Sequence, residues 1–393
     1  MENGGVLQEA NGLMIRLTIP SIDESDLQAV REVLASGYLV QGARVAAFEQ
    51  TIAKYVGTKY AVAVSNCTAA LHISLLALGV KPGDIVVVAA YSWPATANVV
   101  ELCGAKPVFV DIQRDTFNID PARLKTVLEK LMASKQTRKS VKGILPVHTF
   151  GQMANMPAIM ELANRYELPV IEDAACALGA KFGGRQAGTF GKMGCFSFHP
   201  RKAITTGEGG MIVTDDAGLA RNSRALRNHG LDPNSSSPDF IMAGFNYRIT
   251  EFQAALGVTQ MSKLDGIIES RRRLAANYDR LLQNTAIKTP AVAAGSQPVY
   301  QSYIILLPGD AAGRRAEIIA DLKQRGIETT IGTWHIPMTT YFRSRYGYKA
   351  GDFPATDEIF ARALTLPLYE NMSEQQQNTV IENLLKTLEP PGR

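Results

Sequence analysis

The chain has 393 residues, 46% hydrophobic and 20% charged, with 41 Lys and Arg against 37 Asp and Glu for a net charge of +4. That length predicts two or three domains, and the composition excludes disordered, collagen-like and coiled-coil chains. The weak positive charge excludes nucleic acid or an anionic membrane as the main partner, yet suits a small ligand bearing phosphate.

In chain order, residues 22–35 predict an amphipathic helix, with Pro20 and Ser21 before it and acids in its first turn. A second helix is expected over about 43–56. Tyr60–Val64 is an apolar run, broken by Ser65-Asn66-Cys67-Thr68, after which Ala69–Leu78 resumes helical periodicity. Strand, tight turn, helix is the grammar of α/β proteins, and it repeats. Ile85–Ala89, Pro107–Val110, Gly143–Val147 and Pro169–Ile171 predict strands. Ala95–Cys103, Pro121–Met132 and Met156–Tyr166 predict the helices between them. Near-continuous apolar strands are what a parallel sheet covered on both faces requires. Cys195–Phe198 and Met211–Val213 predict further strands of the same sheet. A long helix follows from about Thr250 to Leu282, then a connector at Thr289–Gln297. A smaller α/β C-terminal part holds a strand at Tyr303–Leu307 and helices at Ala312–Arg325 and Glu374–Leu388. No apolar run approaches the ~20 residues of a membrane helix. Met1 to Asn11 lack the basic start and apolar core of a signal peptide. Cys67, Cys103, Cys176 and Cys195 are scattered, without CxxC or metal spacing. Neither a disulfide framework nor a metal site is expected, and the expected location is the cytoplasm.

Two segments carry chemistry. Glu172-Asp173 lies at the end of a buried strand, where open α/β sheets bind ligands. Asp173 is placed to meet a ligand, to cap a helix or to hold an ion pair. Lys202 follows the strand end Phe196-Ser197-Phe198 in a turn rich in Gly and Thr. It is either an ordinary solvated lysine or an amine that a poorly solvated, cationic pocket keeps uncharged, able to form a Schiff base with a carbonyl. An acid and a lysine at two strand ends suit pyridoxal phosphate, which needs a Lys at its aldehyde and an Asp at its pyridine nitrogen. Ser65 to Ala70, after a strand, offers a helix start for the phosphate, or a plain N-cap. Trp93, past the next strand, is a stacking partner for the ring or a core tryptophan.

These pieces, in order, resemble the DegT/DnrJ/EryC1/StrS sugar aminotransferases of the aspartate-aminotransferase-like fold (type I). The resemblance spans about Leu17 to Leu388. It is carried by SNCTAALH at 65–72, YSWPATAN at 91–98, PVHTFGQMANM at 146–156, VIEDAACALGA at 170–180 and FSFHPRKAITTGEGGM at 196–211. LRNHG at 226–230, GFNYRITEFQAALG at 244–257 and ALTLPLYENMSEQQQNTVI at 363–381 continue it. It implies a mostly parallel central sheet covered by helices, with residues 1–16 as an extension. Residues 17–255 would form the cofactor-binding domain, and 256–393 a connecting helix with a small α/β domain.

By resemblance, Lys202 carries the cofactor's aldehyde and moves the proton, and Asp173 holds the pyridine nitrogen. Thr68, the Ala69 N–H and Ser197 cup the phosphate, and Trp93 stacks on the ring. Asn246 reaches the phosphate from a second subunit, so the resemblance implies a homodimer with shared sites. Arg248 and His335 are implied on the substrate side. Three positions depart from the family pattern. Cys176, near the ring hydroxyl, stands where His or Gln is common, Thr340 where a second His is common, and Arg201 where a smaller residue is common. Arg201 is expected to add positive charge that lowers the pKa of Lys202 or meets a phosphate. The implied reaction passes an amino group, usually from glutamate, to a nucleotide-linked keto sugar. The alternatives are a keto-cyclitol acceptor, a dehydratase, which typically has His in place of the lysine, and a non-catalytic cofactor-binding regulator.

Overall fold

The computed structural model describes residues 14–389. Most of the expected extension 1–16, and the segment Met1 to Asn11 read for a signal peptide, lie outside the described residues. Among these, no helix is long and apolar enough to cross a membrane.

Seven strands form the central sheet, in the order Lys106–Val110, Ile85–Ala89, Val141–Leu145, Ile171–Asp173, Met193–Ser197, Gly210–Thr214 and Tyr60–Val64. The two halves join where Ile144 pairs with Val170 and Val147 with Asp173, both parallel. Only Gly210–Thr214 runs against its neighbours, so the sheet is mostly parallel, as expected. Alternation assigns each residue to one of two buried faces. Ala61, Ala63, Val87 and Ala89 pack with helices Ala43–Val56 and Met156–Arg165. Val62, Val64, Val86 and Val88 pack with Cys67–Ala77 and Ala95–Leu102.

Thr250 starts the long helix Glu251–Leu282 with a capping box to Gln253. That helix leaves the first core through Leu264 and Ile268 and enters a separate C-terminal core through Leu274, Tyr278 and Leu282. Ile15 is buried in that same C-terminal core and pairs with Ile327.

Two expectations need correction, and several elements were not expected. The strand expected at Pro169–Ile171 is Ile171–Asp173, so Asp173 is itself the last strand residue. Proline has no N–H for a sheet bond, and only the Pro169 carbonyl joins in, accepting from Ile144. The helix expected from Ala312 is a 3-10 turn, Gly309–Arg314, followed by the α-helix Arg315–Gln324. Ala217–Arg227 is a helix the apolar pattern did not reveal, because it is largely polar; the Asp216 side chain caps it. In the C-terminal part, Thr340–Tyr346, Pro354–Arg362 and the strand Ala363–Leu366 were also missed.

Candidate active site

The carboxyl ends of the parallel strands open into one cavity of about 950 Å³. Thr68, Ala69, Trp93, Asp173, Cys176, Ser197 and Lys202 all line it. Asn246, Arg248 and His335 do not.

Asp173 is buried, and no helix begins beyond it, so it is not a cap. Among the described residues it makes no salt bridge. The Thr96 hydroxyl donates to its Oδ2 at 2.7 Å, and the Ala175 N–H to Oδ1 at 3.2 Å. Thr96 has one hydroxyl proton and gives it to Asp173. Ser92, 3.0 Å from Thr96, must therefore donate to Thr96. Burial raises the Asp173 carboxyl above its usual range, against the pull of the Thr96 bond.

Glu172 faces the other way and has a structural role. Its carboxylate is fully buried and accepts from the Gly188 N–H at 2.9 Å, the Gly191 N–H at 2.7 Å and His148 Nε2 at 2.8 Å. The Ala154 N–H donates to His148 Nδ1, so the ring proton sits on Nε2. Glu172→Leu strands all three donors. It should lower folding stability by about 3 kcal/mol or more, read from the denaturant midpoint. A change within about 0.5 kcal/mol would contradict this role.

Lys202 is held by a turn, its N–H on the His199 carbonyl at 2.8 Å. Its Nζ lies 3.1 Å from Cys176 Sγ. The expectation of a depressed lysine is corrected. Burial pulls the ammonium down, but Cys176, Cys67 and Asp173 outweigh it, and the net direction is up. Arg201 is not among the main groups that set that balance; it is exposed and lines the cavity. The Gln301 amide ties the Arg201 carbonyl at 2.7 Å.

The helix Cys67–Ala77 begins at the cavity. Asn66 caps it by accepting the Ala69 N–H at 2.8 Å. This corrects the expected donor set, because the Ala69 N–H is engaged. The N–H groups of Cys67 and Thr68 have no partner among the described residues and are the free donors. Across from them, a Cβ on Gly210 would lie 2.4 Å from the Asn66 carbonyl carbon and oxygen. Gly210→Ala should displace this helix start and weaken pyridoxal phosphate binding at least about tenfold, measured by titration into the cofactor-free protein. Unchanged affinity would show that the helix start is not used. The Ser197 hydroxyl is half-buried and accepts only a long bond, 3.4 Å, from the His199 N–H. Trp93 is 65% exposed at the cavity, so it is not a core tryptophan.

The segment Phe245–Arg248 is extended and alternates. Phe245 and Tyr247 stack on each other at 4.8 Å, and Tyr247 lines the cavity. Asn246 is exposed outside the cavity, and Arg248 donates to Asn228 Oδ1 at 2.7 Å. His335 is a correction too. Its ring is 3% exposed, bonded to Asp357 at 3.0 Å and packed edge-on against Phe353 and Phe360. It supports the wall that presents Gly332 and Thr333 to the cavity and does not face the cavity itself. Sequence reasoning missed Thr96, Ser92 and Asn66, although all three stand inside the motifs quoted for Trp93 and Thr68.

The family described as the DegT/DnrJ/EryC1/StrS aminotransferase family matches residues 20–385. A relative from Caulobacter vibrioides, GDP-perosamine synthase, is 36% identical over 95% of this chain and 98% of its own. A pleiotropic regulatory protein of Geobacillus stearothermophilus is 37% identical over 94% and 98%. Among solved structures, Spr1654 of Streptococcus pneumoniae in its PLP form superposes with a TM-score of 0.88 at 25% identity, covering 96% of this chain and all of that one.

Proposed function

The chain belongs to the DegT/DnrJ/EryC1/StrS aminotransferase family, whose members depend on pyridoxal phosphate; on that footing we propose that it passes an amino group from glutamate to a keto sugar carried on a nucleotide. The product would be an amino sugar for a polysaccharide, glycan or antibiotic. One observation carries the reading: a lysine amine, a buried carboxylate and a helix start share one cavity, and among the described residues the carboxylate has no ion pair and two N–H groups of the helix start have no partner.

The donor set fits the cofactor. Lys202 would hold its aldehyde end and Asp173 its ring nitrogen. The Cys67 and Thr68 N–H groups, with Ser197, would hold its phosphate, and Trp93 would flank its ring. Cys176 would lie near the ring hydroxyl. Bound there, pyridoxal phosphate supplies an electron sink that lets an amino group leave one carbon and join another. The chain itself supplies position and proton transfer. Lys202 Nζ takes and returns the substrate proton. The Ser92–Thr96 chain keeps the Asp173 carboxylate oriented.

The nucleotide-linked acceptor is supported by the similarity to GDP-perosamine synthase. The similarity to a pleiotropic regulatory protein favours a second, regulatory reading. Steady glutamate-dependent turnover separates the two. Glutamate alone should convert the visible-absorbing form to the amine form, and a nucleotide keto sugar should restore it. Restoration by keto cyclitols alone would shift the acceptor class, and no conversion by any amino acid would favour the regulator.

The exposed Asn246 suits service to a partner's phosphate in a closed two-fold dimer. Lys202→Ala and Asn246→Asp should each be impaired. In hybrids of the two, one site carries both lesions and the other neither. Mixing should therefore restore about half of wild-type activity per hybrid dimer. Demonstrated subunit exchange without recovery would rule out shared sites.

A further inference from the structure

Cys176 is the least buried of the four cysteines, while Cys67, Cys103 and Cys195 are all buried. Its sulfur lies on the cavity wall 3.1 Å from Lys202 Nζ. The lysine stem is flexible and brings its amine to the sulfur without backbone movement. The cavity gives a small oxidant a path to both atoms.

We propose that the Cys176–Lys202 pair is a reversible oxidation site, closed by peroxide into a sulfur–nitrogen cross-link that blocks Schiff-base formation with the cofactor. The thiol first reduces peroxide, giving a sulfenic acid and one water. The lysine amine then attacks the sulfenic sulfur, the S–O bond breaks, and the oxygen leaves as a second water with one proton from each partner. The product is a sulfenamide, the same condensation that sulfenic acids undergo with backbone nitrogen. A free thiol reverses it by attacking sulfur, which returns the amine and forms a mixed disulfide that a second thiol resolves.

Two consequences follow from the geometry. A cross-linked Lys202 has no free amine for an aldehyde, so the oxidised chain cannot hold pyridoxal phosphate as a Schiff base. Conversely, a lysine already holding the cofactor cannot attack sulfur, so the loaded protein is protected. Cys67 lines the same cavity and is the competing partner for an oxidised Cys176.

The test treats the cofactor-free, reduced protein with hydrogen peroxide and reads intact mass, peptide connectivity and the Schiff-base absorbance that appears on adding pyridoxal phosphate. The expected species is lighter by two hydrogens and joins the Cys176 peptide to the Lys202 peptide. Schiff-base formation should be lost and should return after dithiothreitol. Cys67→Ser should form the same cross-link, and Cys176→Ser should form none. Preloading with pyridoxal phosphate should suppress it. A Cys67–Cys176 disulfide as the product would overturn the proposal. So would accumulation of sulfinic or sulfonic Cys176 beside a free Lys202 peptide, or no reaction at Cys176 at all.

Discussion

Lys202→Ala is expected to lower turnover by at least about 1,000-fold, the scale of a lost general acid–base group. The variant should still bind pyridoxal phosphate, because the other contacts remain: the helix start at Cys67 and Thr68, the Ser197 hydroxyl and the Asp173 carboxylate. Its bound cofactor should show the spectrum of a free aldehyde, since among the described residues no other lysine lines the cavity. Turnover within tenfold of wild type would mean that the proton is moved by another group. Loss of cofactor binding together with loss of fold would be uninformative about the proton, so the variant's thermal unfolding is measured alongside.

Asp173→Asn comes next in size. The amide keeps the shape and can still accept from Thr96 at Oδ, so the fold should hold. The negative charge is gone. A carboxylate beside a basic nitrogen typically shifts its pKa by about 1–3 units, and each unit is tenfold in the protonated fraction. The rate should therefore fall about 10- to 1,000-fold, with a spectrum that follows pH differently from wild type. Near-normal turnover would return Asp173 to a structural role. Thr96→Val should give a smaller loss in the same direction, because it removes one hydrogen bond and leaves the charge.

The central sheet was legible because its strands are apolar runs between helical periodicities. Tyr60–Val64, Ile85–Ala89 and the final helix Glu374–Leu388 stand where the pattern puts them. The choice between Glu172 and Asp173 was not legible from patterning. Both faces of the sheet are buried, so alternation does not tell which acid meets the ligand. Only the partners do: His148 and two glycine N–H groups on Glu172, one hydroxyl, the Ala175 N–H and an open cavity on Asp173. The motif SNCT located the helix start, yet which N–H stays free depends on the Asn66 side chain, which folds back on Ala69. His335 misled because a histidine two residues before a proline reads the same whether it faces a cavity or Asp357 in the wall. The direction of the Lys202 shift depended on Cys176, 26 residues away in sequence and 3.1 Å away in space.

Borohydride reduction of the holoprotein followed by peptide mapping tests the central assignment most directly. The reduced cofactor should be found on the peptide carrying Lys202, with the other lysines unmodified. Finding it on a different lysine, or finding no covalent cofactor on a protein that turns over, would contradict the account.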